Sequence, residues 1–178
     1  MNEKKKNAAN QFAKDCMVSA LIQLLAEKNM SEITISDLAN KAGVSRMTYY
    51  RNYNTKEDIF IQYLDDVFAL YHEERSQTDR QTAFYERENM LHCFHYFSLY
   101  RKFLNTLFSS NLGNLFLNKL TDYVLFVWYQ DSCSQEYYFT LQAFVGSLYN
   151  LYRAWATNAS GFSEEELADL IYRIYSKC

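Results

Sequence analysis

The sequence predicts an all-α fold of about nine helices in two parts, a small basic head over residues 1–56 and a larger aromatic-rich body over residues 57–178. Three observations predict it. There is no proline and there are only four glycines in 178 residues, so the punctuation that strands and tight hairpins need is scarce. Apolar residues recur three and four apart in stretch after stretch, the period of a helix with one buried face. The two parts also differ in chemistry. Residues 1–56 carry nine Lys/Arg against five acids, a net +4, and the remainder carries nine against sixteen, a net −7. A polyanion would be drawn to the head and repelled by the body.

The first helix shows its stripe at Ala9, Phe12, Ala13, Cys16, Met17, Ala20, Leu21, Leu24 and Leu25 and ends near Lys28 and Asn29. Thr34 can cap a second helix from about Ile35, with Asp37 completing a capping box. Gly43 closes that helix in a left-handed conformation, Val44 anchors the turn, and Ser45 caps a third helix over about Arg46 to Asn52. Thr55 caps a fourth, whose first turn carries Glu57 and Asp58 and whose apolar face carries Ile59, Phe60, Tyr63, Leu64, Val67, Phe68 and Tyr71. This helix joins head to body.

After a polar helix end and loop over 73–81, helical patterns recur near 82–98, 100–109, 112–131, 135–158 and 163–176. Tyr138, Leu141, Val145, Leu148, Tyr152 and Trp155 line the fourth of these; Leu167, Leu170, Ile171, Ile174 and Tyr175 line the last. The turn between them is Asn158-Ala159-Ser160-Gly161, and Ser163 with Glu164, Glu165 and Glu166 makes a strong helix start.

The segment from Ile35 to Asn54 has the steric features of a helix-turn-helix. Ala39 is small where two helices cross, Gly43 makes the turn, and Leu38, Val44 and Tyr49 face the shared core. Arg46, Met47, Thr48, Tyr50, Arg51 and Asn52 are left outward, offering charge, donors and an aromatic plane to base edges and phosphates.

Residues Ile33 to Phe60 resemble the head of the tetracycline-repressor (TetR) family, whose pattern runs roughly Thr-x-x-Asp-Ile-Ala-x-x-Ala-Gly-Val-Ser-x-Gly-Thr-Phe-Tyr-x-His-Phe-x-x-Lys-Glu-x-Leu. Met47 stands where that pattern has glycine, Asn52 where it has histidine or tyrosine, and Tyr53 where it has phenylalanine. The resemblance implies a dimeric DNA-binding transcriptional regulator, a repressor released by an effector. It also implies DNA contacts from Ser45, Arg46, Thr48, Tyr49, Tyr50 and Lys56, with Tyr50 and Lys56 on phosphates and Arg46 able to read a base. Together with Thr34, Ser36, Met47, Arg51 and Asn52, these are the expected DNA-binding residues. Lys4, Lys5 and Lys6 form either a phosphate-tracking arm or a solvated tail.

All but four of the 31 aromatic residues lie beyond residue 56. Rings in that number either make a core or line a pocket for a small hydrophobic or aromatic effector; the resemblance favours the pocket. Phe144 to Trp155, followed by Ser163 to Leu167, also resembles a C-terminal domain of Gram-positive TetR members. Leu141, Val145, Leu148, Tyr152, Leu167, Ile171 and Ile174 are the expected dimer face, with Gly146 and Ser147 permitting close approach across a two-fold axis that would match a palindromic operator on double-stranded DNA.

Other classes find less support. Cys16, Cys93, Cys133 and Cys178 are scattered and suggest neither a zinc ribbon nor a disulfide framework. Glu88, His92 and His95 share one helix face at i, i+4 and i+7, a metal-binding or enzymatic alternative. No nucleophile is paired with a base and no glycine-rich loop could hold phosphate, so neither catalysis nor a cofactor is expected. No stretch has the length of a membrane span, and the start lacks the pattern of a signal peptide; the expected location is the cytoplasm. The same head on a body that binds a protein would make a coactivator or adaptor.

Overall fold

A computed structural model describes residues 2–76, 82–157 and 161–177, with side chains from Asn7 onward. The lysines at 4–6, most of the loop expected over 73–81, the turn at Asn158 to Ser160 and Cys178 lie outside the described backbone or side chains. Among the described residues there are nine α-helices and no strand. They are α1 (Asn2–Leu25), α2 (Ile35–Ala42), α3 (Arg46–Asn52), α4 (Glu57–Ser76), α5 (Arg87–Ser98), α6 (Arg101–Ser109), α7 (Gly113–Trp128), α8 (Gln135–Thr157) and α9 (Glu164–Tyr175). No described helix is long and apolar enough to cross a membrane.

The first unit runs from Met1 to Asp66 and the second from Val67 to Cys178. The division falls inside α4, ten residues beyond the expected boundary, because the first half of that helix is bonded into the head. Asp58 Oδ2 accepts the amides of Asn54 and Thr55 at 2.9 Å, and the Gln62 amide donates to Asn52 O at 2.9 Å. Ile59, Phe60 and Leu64 are buried there. Their sequence stripe is continuous with Val67 and Phe68, so periodicity alone could not show where the packing partner changes.

In the head, α1 buries Ala13, Met17, Ala20, Leu21 and Leu24 of its predicted stripe, while Phe12 is 70% exposed. It stops at Leu25 because the amides of Glu27 and Lys28 both turn back to Leu24 O, at 3.0 and 2.9 Å. A 3₁₀ turn, Met30–Glu32, follows.

In the second unit α5 packs on α9, α7 on α8, and α6 against both α7 and α8. The rings of Phe68, Phe97, Phe116 and Tyr123 meet at centroid distances of 5.1–6.1 Å. Two buried hydroxyls find backbone acceptors: Tyr152 donates to Phe97 O at 2.7 Å and Tyr96 to Val67 O at 2.8 Å. Arg101 donates to the carbonyls of Trp155 and Ala156 at 3.1 Å each, and so satisfies the end of α8. A methyl at Gly113 would meet the Tyr149 hydroxyl and the Phe108 ring, which lets α7 begin hard against α8.

Two sequence expectations need correction. Residues 82–86 are not helical: Trp128 Nε1 donates to Thr82 O, and Asn89 Nδ2 donates to Thr82 Oγ1 and Ala83 O. These bonds take the carbonyls a helix would use, and Phe84 drops into the core against Phe144, 4.7 Å between centroids. The second correction concerns the dimer face. Leu141, Val145, Leu148, Tyr152, Leu167 and Ile171 are all 0–4% exposed within a single chain, and of that set only Ile174 is exposed, at 46%. Ser147 is likewise engaged inside the chain, its hydroxyl 2.7 Å from that of Tyr175.

Two glycines make a test of this packing. Gly43 has φ +68° and open space around its missing Cβ, so Ala there should cost about 1 kcal/mol from backbone strain alone. Gly146 sits mid-helix with nothing within 4 Å of a Cβ, so Ala there should stabilise by up to about 1 kcal/mol. Thermal denaturation of the two variants should move in opposite directions; a loss at Gly146→Ala would mark that helix face as pressed against a partner.

Candidate nucleic-acid interface

The turn between α2 and α3 is built by short-range chemistry. Thr34 Oγ1 accepts Asp37 N at 3.1 Å and Asp37 Oδ2 accepts Thr34 N at 3.1 Å, the reciprocal capping box expected from the sequence. Gly43 takes the left-handed conformation, and Val44 N reaches back to Ala39 O at 3.0 Å, the six-to-one bond of a Schellman closure. Ser45 then caps α3, its Oγ accepting Thr48 N at 3.1 Å and lying 2.9 Å from Thr48 Oγ1.

At 3.6 residues per turn, Arg46, Tyr50, Met47 and Arg51 follow one another around α3 within an arc of about 140°. All four are exposed, Met47 to 70% and Tyr50 to 61%. The opposite side carries Tyr49, 1% exposed, whose ring meets Tyr50 edge-on at 5.3 Å and Tyr53 at 5.8 Å. Tyr49 is therefore a correction: its side chain anchors α3 to the head and is not offered to DNA. Burial also raises the Tyr49 phenol, with the Asp58 and Glu57 charges adding to it.

Two further expected contacts are occupied from within. Asn52 donates to Thr48 O at 2.8 Å and accepts from Asn10 Nδ2 at 3.1 Å, so its amide joins α3 to α1. The Lys56 ammonium donates to the carbonyls of Met30 and Ile33, closing the 3₁₀ turn under α2. Thr34 and Ser36 are exposed at the start of α2, and Ser45 is exposed at the start of α3, while Thr48 is half-buried.

Sequence reading missed α1's share of this face. Asn7 and Asn10 line an open groove of about 620 Å³ together with Val44, Ser45, Thr48 and Arg51. The lining offers amide, hydroxyl and guanidinium groups, a donor set suited to a phosphodiester backbone. The signal lay in two asparagines three apart beside the apolar stripe of α1, one turn of the same helix edge.

The Glu88, His92 and His95 face does not converge. His92 Nε2 lies 3.4 Å from Glu74 and its ring stacks on Tyr71, while His95 Nδ1 lies 3.0 Å from Glu164 on α9. Among the described residues no group of three His, Cys, Asp or Glu is placed to hold a metal ion.

Residues 18–63 match the family model for bacterial regulatory proteins, tetR family. Over those residues the chain is similar to the TetR family. The match opens inside α1 and closes inside the first half of α4, so it spans α2, α3 and the turn between them. Solved structures share the fold along nearly the whole chain. Lin0861 from Listeria innocua superposes with a TM-score of 0.78 at 17% identity, over 96% of this chain and 92% of that one. A TetR transcriptional regulator from Streptococcus agalactiae 2603V gives 0.62 at 22%, over 97% and 98%. The dihydroxyacetone kinase operon activator DhaS gives 0.57 at 17%, over 91% and 93%. No curated protein sequence matches the chain.

The capping box of α2 carries a charge. The hydrogen bond from Lys28 Nζ, 2.7 Å away, is the main cause that holds Asp37 down to about 2, with the Thr34 amide and hydroxyl assisting. A carboxyl depressed on folding stabilises the fold above its ordinary value of about 3.9, and that contribution fades as pH falls toward the folded value. Melting temperatures of the native chain and Asp37→Asn should therefore differ at pH 7, with the native chain higher, and converge between about pH 4 and pH 2.

Proposed function

We propose that the chain is a TetR-family regulator that acts in the cytoplasm as a homodimer, each copy laying α3 in the major groove of a palindromic operator, and represses transcription until an effector in the body releases the DNA. The observation that carries the reading is the outward arc of α3. Arg46 and Arg51 flank Met47 and Tyr50 on a helix whose far side is anchored by Tyr49. In this reading Arg46 meets a base edge, and Arg51 with Asn7, Asn10, Ser45 and Thr48 follows the phosphates. Tyr50, Thr34 and Ser36 add backbone contacts at the edges, and the third Lys56 N–H can reach a phosphate while the other two hold the 3₁₀ turn. Half-sites lie about 34–36 Å apart, one helical turn.

The dimer has to use side chains that a single chain leaves outside. Phe139 on α8, Phe162 just before α9, and Tyr172 and Ile174 on α9 are 39–59% exposed and meet that need. Pairing of apolar surface between two copies would bring two heads to one duplex, and the symmetry of the pair would set the symmetry of the operator.

Effector entry has a condition. Beside Cys93, Phe94 and Tyr152 the core leaves only about 10 Å³, at most the room of a single water. A small hydrophobic or aromatic effector bound there must part the helices, and it will favour a conformation with a wider core by population shift. The same tight core favours a second reading, a coactivator or adaptor whose body binds a protein through its surface. The exposed Phe126 (74%) and Leu99 (71%) are apolar groups of the kind such a surface uses. That one similar structure is an operon activator is compatible with it. Neither reading requires catalysis or a cofactor.

Arg46→Glu should remove sequence-specific retardation of an operator duplex recovered from genomic DNA. The expected loss is at least the 1–3 kcal/mol of a good base contact, on the order of tenfold or more, with the dimer unchanged in size-exclusion chromatography. Unchanged retardation would exclude α3 as the reading helix.

A further inference from the structure

Met47 occupies the second position of α3 with 70% of its surface exposed. It does no work for the fold, because the head is closed on the other side of α3 by Tyr49 against Tyr53, with Leu38, Phe60, Met17 and Leu21 buried in the same unit. An unbranched apolar side chain held in water between two arginines calls for another explanation.

The two edges of the arc differ. Arg51 adjoins the groove that Asn7, Asn10, Ser45 and Thr48 line, a polar wall matched to a phosphate strand. Arg46 and Met47 stand at the N-terminal end of α3, the end of a recognition helix that meets base edges. The major-groove floor presents acceptors and donors on every base pair, but only one apolar group, the C5 methyl of thymine. Arginine matches guanine O6 and N7. A thioether matches no donor or acceptor there with any strength, but its three rotatable bonds and polarizable sulfur let it close around a methyl.

We infer that Met47 is a specificity-determining residue that packs its side chain on a thymine methyl in each operator half-site. The inference deepens the operator-binding reading and rests on it. It also gives a physical meaning to the departure of this position from the glycine of the family pattern: the side chain adds a reader where the pattern has none, and methionine favours the first turn of α3 more than glycine does.

The test begins with a pool of random-sequence duplexes, from which the purified full chain selects its own site. The selected duplex is then remade with deoxyuridine in place of each thymidine in turn, which deletes one methyl and no hydrogen-bonding group. One position per half-site should lose roughly fourfold in affinity, the value of one buried methyl-sized group. Met47→Ala should bind the thymidine duplex more weakly and respond much less to deoxyuridine at that position. Its melting temperature should equal that of the native chain, so that a folding defect is not the cause. An unchanged deoxyuridine penalty in Met47→Ala, or no sensitive position in the native chain, overturns the assignment while leaving operator binding intact. A pool that yields no preferred site overturns both.

Discussion

The direction in which α3 faces is set by one backbone constraint, the left-handed turn at Gly43. A helix of seven residues has little stability of its own, and nothing in its composition would hold it at a fixed angle. The turn does so by closing α2 with the Val44 to Ala39 bond and starting α3 two residues later at Ser45. Tyr49 then fixes the rotation of α3 about its own axis, since a buried ring on one side commits the other side to solvent. The exposed arc of Arg46, Tyr50, Met47 and Arg51 is the consequence of those two anchors.

Around that turn the head is braced by polar links between elements distant in sequence. Asn10 to Asn52, Lys28 to Asp37, Lys56 to Met30 and Ile33, and Gln62 to Asn52 tie α1, the 3₁₀ turn, α2, α3 and α4 to one another. Each is modest alone, but together they restrict α3 to one pose. In the proposed function, a rigid reader loses less entropy on binding DNA than a mobile one would, which would connect these bonds to affinity.

What could be read from the sequence follows the range of the interaction. The caps at Thr34, Ser45 and Ser163, and the closure at Gly43, depend on residues within three or four positions, and the structure places each where the sequence does. The inward placement of Asn52 and Lys56 depends on α1 and the 3₁₀ turn, dozens of residues away, and nothing local marks it. The stripe of Leu141, Val145, Leu148 and Tyr152 is a different limit. A periodic apolar face says that a helix is covered, not whether its own chain or a second copy covers it, and here all four are buried within the chain, Leu148 and Tyr152 beside α5 and α7 and Tyr152 also against Phe108 of α6. Residues 82–86 read as helix because their pattern is helical; Trp128 and Asn89 capture their carbonyls from outside.

The claim on which all this converges is that the chain meets DNA through the outward side of α3 and the adjoining groove on α1. Amide hydrogen exchange of the full chain, with and without a duplex it has selected, addresses that directly. The account predicts added protection at the start of α2, in α3 and at the α1 residues around Asn7 and Asn10, with the strongest gain over Ser45 to Arg51. Protection gained in α5 to α9 with no change across α3 would contradict it.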